Sequence, residues 1–367
     1  MRESVRKVGQ RFLIGFHGHE ASLDVKRMIR DFAVGQVILF ARNVDSPEQV
    51  ADLVRELQSA ARDAGHDLPL LIGVDQEGGR VARLKEPWTL WPPLRVVGEA
   101  GSEDYARRMG AALAAELLAC GIRCDFAPVV DVDTNPKNPV IGDRSFGGDP
   151  EKVGRLGAAM IRGLQESGVI ACAKHFPGHG DTEVDSHLDL PAVDHSLSRL
   201  EDVELRPFRS AIEAGVAMVM TAHVLVRELD DQLPATLSPK VIAELLRGRM
   251  KYGGVVVADD LEMKALAKRW RPAEIAVLAA QAGCDLLPFS ADHGAQVEGI
   301  EALIKGLESE TIRYADMDDS CTRVRRLKQR FLLPHRDPDP KAARLAAGVG
   351  ERWALSREIR ERAGLPA

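Results

Sequence analysis

Apolar residues in this chain come in two alternating textures. Short runs of four to eight residues, mostly Val-, Ile- and Leu-rich and without polar alternation, lie at Phe12–Phe16, Gln36–Phe40, Pro69–Val74, Arg123–Val130, Ile170–Ala173, Ala217–Met220, Gly254–Ala258 and Asp285–Pro288. Runs of that kind fit strands buried on both faces of a parallel sheet. Between them the apolar positions recur with a helical period, at Pro47–Ala64, Glu103–Ala119, Pro150–Ser167, Leu197–Ala214, Pro239–Arg249, Pro272–Ala282 and Gly294–Leu307. Several of these open on a cap followed by a first-turn proline, as in Ser46-Pro47-Glu48 and Ser238-Pro239. Strand and helix in steady alternation predict an α/β fold, a single (β/α)8 TIM-type barrel, in preference to an open doubly wound sheet.

One stretch breaks the rhythm. Asp131–Asp149 has no clear helical period and is rich in Asn, Pro and Gly, which predicts a long functional loop after the fourth strand. No linker divides residues 10–332, so one barrel domain is expected over 1–333. A charged, proline-rich connector at Pro334–Pro340 then leads into a short helical tail, with helix over Lys341–Gly364 and the whole segment ending at 367.

Composition narrows the partners. The 367 residues are 45% hydrophobic and 28% charged, enough for a sizeable core, and the 49 basic against 55 acidic residues leave a net charge of −6. Without a Lys/Arg run, neither nucleic acid nor a membrane surface is an expected partner. The five cysteines are odd in number and scattered, which reads as reduced thiols rather than a disulfide framework. The apolar run Phe12–Phe16 is too short for a signal sequence, and no segment approaches about 18 uncharged apolar residues, so a cytoplasmic location is expected.

The chemistry-bearing residues follow the strands. Asp75-Gln76-Glu77-Gly78-Gly79-Arg80 follows the third, Asn138–Phe146 the fourth, and Lys174-His175-Phe176-Pro177-Gly178-His179-Gly180-Asp181 with Asp185-Ser186-His187 the fifth. Thr221-Ala222-His223 follows the sixth and Asp259-Asp260-Leu261-Glu262-Met263 the seventh. In a barrel these strand ends share one face and converge. The set is rich in Asp, Lys, Arg and His, partners for hydroxyls, amides and carboxylates, and it lacks both glycine-rich phosphate fingerprints. Glycoside cleavage needs a proton donor at the leaving oxygen and a carboxylate across the sugar. Asp259 fits the carboxylate. In Asp185-Ser186-His187, two residues apart on extended backbone, the aspartate can hold the imidazole and raise its pKa, giving a donor near neutral pH.

Plainer roles compete for the same residues. Asp75 and Arg80 can be a barrel-end ion pair, and Lys174-His175 a core-edge cation beside a satisfied histidine. Either Asp259 or Asp260 can cap a helix. His175, His179, Asp181 and His187 could ligate zinc, although Pro177 and Gly178 work against helical ligand spacing, and no metal is expected. His223 reads as structural. His17, His19, Asp316, Asp318 and Asp319 read as solvated surface.

These motifs resemble glycoside hydrolase family 3, in particular its single-domain β-N-acetylhexosaminidases of the peptidoglycan-recycling type. The resemblance runs from about residue 10 to 330 and is carried by Ile38-Leu39-Phe40 with Arg42-Asn43, Val74–Arg83, Asn135–Phe146, Lys174–Pro191 and Gly253–Met263. It implies Asp259 as the nucleophile of a covalent glycosyl-enzyme, and His187 as acid/base with Asp185 as its partner. It implies that Asp75, Arg83, Arg144, Lys174 and His175 grip the hydroxyls of N-acetylglucosamine, with no cofactor. The expected activity is removal of a terminal β-linked N-acetylglucosamine from peptidoglycan fragments. A β-glucosidase or N-acetylglucosaminide phosphorylase on the same scaffold, and a non-catalytic sugar-binding barrel, are the alternatives.

Overall fold

A computed structural model describes residues 2–183, 185–186 and 188–366. Eight parallel strands lie side by side in chain order: β1 (Phe12–Ile14), β2 (Gln36–Leu39), β3 (Leu71–Val74), β4 (Cys124–Asp125), β5 (Ile170–Phe176), β6 (Met218–Thr221), β7 (Val255–Val257) and β8 (Leu287–Phe289). β8 returns to β1 in the register Phe12↔Leu287, and a single parallel bridge, Val257↔Leu286, closes the ring between β7 and β8. This is the barrel that the sequence predicts. Among the described residues no helix is long and apolar enough to cross a membrane.

Two apolar layers hold it. Leu13, Ile38, Leu71, Cys124, Phe126, Ile170, Cys172, Met218, Val255 and Val257 fill the interior, while the alternate strand residues pack outward against the helices. Gly73 belongs to this packing, because a Cβ there would lie 2.8 Å from the Phe126 ring. The helix Tyr314–Leu332 crosses the N-terminal end of the barrel and adds Val324, Leu327, Phe331 and Leu332 to the inner cluster. Burying such side chains stabilises by about 1.5–3 kcal/mol each, so this helix is the floor of the barrel. The helices Pro340–Ala346 and Gly350–Arg362 follow it, with Ala343, Leu355 and Ile359 buried in the outer layer.

Several elements differ from the sequence expectation, the tail among them, where two helices stand in place of one over Lys341–Gly364. β5 runs on to Phe176, so Lys174 and His175 stand on the strand rather than in the loop after it. The expected helix Leu197–Ala214 is broken by a wide turn at Leu200–Glu204 between Leu197–Arg199 and Arg206–Glu213. Pro207 explains the break: it has no N–H to donate and its ring crowds the carbonyl one turn back. Lys240–Arg249 winds with the same wide i→i+5 turns rather than as a regular α-helix.

Candidate active site

Strand periodicity carries functional side chains into the barrel mouth. Side chains two apart on a strand share a face, and the inward series Leu71, Ile170–Cys172 and Val255–Val257 extend by that step to Asp75, Lys174 and Asp259. All three line a pocket of about 890 Å³, open solvent included, with Arg83, Arg144 and His175. Phe40, Val81, Val140, Met220 and Met263 form its apolar walls.

One wall is an alternating chain of charges. Lys174 Nζ lies 2.9 Å from Asp75 and 2.6 Å from Glu77. Arg144 grips Glu77 with two bonds of 2.8 Å, and Arg83 stands 3.5 Å from Asp75. Arg83 is brought back over Asp75 by Gln76, whose side-chain oxygen accepts from the backbone N–H groups of Arg83 and Leu84. Arg80 pairs with Asp143 at 3.0 Å, so the Asp75–Arg80 pair is corrected: Asp75 is tied to Lys174 and Arg83 instead. Burial disfavours the Glu77 carboxylate, but Arg144 and Lys174 outweigh it and hold its pKa well below the usual range. Burial likewise opposes the charge on Lys174, and Asp75 and Glu77 reverse it, so the ammonium persists.

A second unit fixes the histidines. Asp131, fully buried at the exit of β4, accepts from His175 Nδ1 at 2.7 Å, His175 N at 3.1 Å and His179 N at 2.7 Å. That orientation turns His175 Nε2 toward Arg144, 3.4 Å away. His179 has Thr182 Oγ1 2.7 Å from Nδ1 and Ser186 Oγ 3.0 Å from Nε2, which leaves neither ring nitrogen open for a metal. Gly180 packs its backbone on β4's exit, where a Cβ would lie 1.8 Å from the Val132 carbonyl.

Opposite this wall stands Asp259, half-buried at the end of β7, with Asp260 N–H donating to its Oδ1 at 2.8 Å. Burial raises its pKa, but His223, His175, that N–H and Lys174 more than offset the effect and leave it lowered, so the group is a carboxylate at neutral pH. His223 supports it from below, with Nε2 2.9 Å from the Asp260 carbonyl and Nδ1 2.8 Å from Thr236 Oγ1. Asp260 itself accepts from Ser290 at 2.5 Å and from Glu262 N–H at 3.2 Å. It closes a turn and does not cap the short helix Lys264–Ala267, whose cap position is Met263. Burial, with Glu262 nearby, pushes Asp260 up to about 7. Glu262 accepts backbone N–H groups of Ala291 and Asp292 at 2.6 and 2.7 Å, a structural role.

The structure thus gathers Asp259, Asp75, Arg83, Arg144, Lys174 and His175 around one cleft. Ser186 lines it too, and the adjacent His187 lies outside the described residues. Glu77 and Asp131 are site residues to which the sequence pattern assigns no role. Glu77 carries a legible signal, two residues from Asp75; for Asp131, ending an apolar run, no local signal separates it from a loop residue.

The fold and this cleft define a (β/α)8 barrel with a carboxylate facing a basic wall at the strand ends. Residues 5–327 match the model of the glycosyl hydrolase family 3 N terminal domain, and the chain belongs to that family. It is 36% identical over 330 residues to beta-hexosaminidase A of Pseudoalteromonas piscicida, an alignment covering 84% of this chain and about 55% of that longer protein. The structure of a family 3 beta-N-acetylglucosaminidase from Paenibacillus sp. str. FPU-7 superposes with a TM-score of 0.93 at 43% identity, over 99% of this chain and 69% of that one. NagZ from Neisseria gonorrhoeae, solved in complex with N-trifluoroacetyl-D-glucosamine, superposes with a TM-score of 0.78 at 32% identity, over 97% and 98% of the two chains.

Proposed function

We propose that this chain is a retaining β-N-acetylhexosaminidase that removes a terminal β-linked N-acetylglucosamine, with peptidoglycan fragments in the cytoplasm as its substrates. The observation that carries the reading is Asp259, an ionised and half-buried carboxylate facing the basic wall across one sugar-sized cleft. In the first step an Asp259 oxygen attacks the anomeric carbon as the glycosidic C–O bond breaks, and His187, oriented by Asp185, gives its proton to the departing oxygen. In the second step water attacks the same carbon, His187 takes the water's proton, and Asp259 leaves as carboxylate.

Asp75, Arg83, Arg144, Lys174 and His175 hold the sugar. Their mutual pairing fixes each head group before substrate arrives, and a preorganised polar wall costs little to reorganise when charge develops at the ring. Relatives named for hexosaminidase activity, and a neighbour solved with an N-acylglucosamine analogue, support the sugar assignment.

A panel of nitrophenyl glycosides, with and without phosphate, tests the reading. The N-acetyl-β-glucosaminide should be cleaved at least about 100-fold more efficiently than the β-glucoside, releasing free N-acetylglucosamine in either buffer. Preference for the glucoside, sugar phosphate as the product, or binding without turnover would each replace it. Competition between muropeptides and chitin oligomers then tests the source of the natural substrate.

A further inference from the structure

We propose that the closed end of the barrel, opposite the active site, carries a second ligand site: a pocket around Lys328 that takes a small oxyanion, a phosphate or a carboxylate. The pocket, about 860 Å³ with open solvent included, lies between the first helix (Glu3–Gly9), the segments before β2 and β3, and the floor helix Tyr314–Leu332. Lys328 is 1% exposed, and its Nζ meets two neutral acceptors, Gln10 Oε1 at 3.2 Å and the Gly35 carbonyl at 3.3 Å. A buried ammonium whose hydrogen-bond acceptors are both neutral is costly, and Lys328 is among the residues that line this cavity.

The surroundings favour an anion. The lining carries four cations, Arg6, Lys7, Arg325 and Lys328, against two carboxylates, Glu3 and Asp67. Arg6 and Arg325 share Asp67, at 3.2 and 3.4 Å, while Lys7 is taken up by Glu3 and Asp318. His66 adds no charge at neutral pH, because burial lowers its pKa more than the Ile29 carbonyl raises it. Ala33, Leu68, Val324 and the Cys321 thiol line the remaining wall and suit a ligand with a compact apolar body.

Lys328 also couples the site to pH. Burial, then Arg325, lower its pKa to about 7, with Asp67 opposing weakly. An oxyanion seated beside Nζ would restore the ammonium, so binding at about pH 8 should take up a proton.

Isothermal titration with inorganic phosphate and, separately, with propionate, in two buffers of different ionisation enthalpy, tests the site and distinguishes the two anions. One anion should bind with unit stoichiometry and proton uptake at about pH 8, and Lys328→Met should weaken it at least about tenfold and abolish the uptake. Arg325→Gln, at an exposed position, should weaken the same binding about threefold or more and serves as the second variant if Lys328→Met does not fold. No binding of either anion up to about 50 mM, unchanged affinity in the variants, or loss of binding in Arg144→Gln instead would overturn the proposal.

Discussion

His179 Nε2 lies 3.0 Å from Ser186 Oγ, a hydrogen bond between two buried side chains that ties Ser186 to the end of β5. The Thr182 hydroxyl donates to the His179 carbonyl at 3.1 Å, so Nδ1–H donates to Thr182 and Nε2 is left to accept from Ser186. Burial, with His175 adding repulsion, lowers the His179 pKa to about 4 and keeps the ring neutral in that acceptor role. Ser186→Ala should therefore leave an unsatisfied buried nitrogen and loosen the residue before His187, lowering kcat/KM on natural disaccharides about tenfold. Steady-state kinetics with a disaccharide and a nitrophenyl glycoside checks this; the smaller loss should fall on the nitrophenyl substrate.

Glu77 joins Lys174 and Arg144 in the wall, and its loss should be costly. Glu77→Gln keeps the shape but removes the charge between Lys174 and Arg144, breaking a buried network of a kind worth about 3–5 kcal/mol. Both stability and kcat/KM should fall, the latter by about 100-fold or more. A variant with wild-type Tm and activity would show that Lys174 and Arg144 are positioned without it.

Much of this was legible in the sequence because barrel strands and strand-end clusters are local signals. Glu103–Ala119 and Pro272–Ala282 appear with the expected boundaries, the first set by the Ser102 cap and the second closed by Gly283 at φ 110°. The floor helix Tyr314–Leu332 was not legible: five cations within residues 323–330 dilute its apolar stripe, and only the barrel interior shows what that stripe packs on. By sequence pattern Lys174 and His175 fall after the fifth strand, because charge usually ends a strand, yet here the barrel mouth supplies their partners. Asp131 acts across 44 residues of sequence, on His175, and no local pattern announces such a bond.

Lys328 gives a stability prediction with a definite sign. Its pKa drops from 10.5 to about 7 on folding, so between those values the unfolded chain binds more protons and stability rises with pH. Below about pH 7 both states are charged and the burial penalty is full. Lys328→Met should raise Tm most at about pH 6, with a gain that shrinks toward pH 10. Melts across that range check it, and a gain that grows with pH would contradict it.

The proposed acid/base pair predicts a dependence on the leaving group. A nitrophenolate departs with little protonation, so His187→Ala should slow glycosylation by natural disaccharides far more than by nitrophenyl substrates. Asp185→Ala should act the same way but more mildly, and the double variant should cost little more than the worse single. Equal losses on both substrate classes, or additive ones, would make the pair a positioning device.

The central claim is that Asp259 bonds to the sugar. A fluorinated glycosyl fluoride that retains the acetamido group should form the glycosyl-enzyme quickly and release it slowly. Intact-mass spectrometry should then show one added glycosyl unit, and peptide mapping should place it on Asp259, with no label taken up by Asp259→Ala. A label on Asp260, or turnover without any trapped intermediate, would contradict the account.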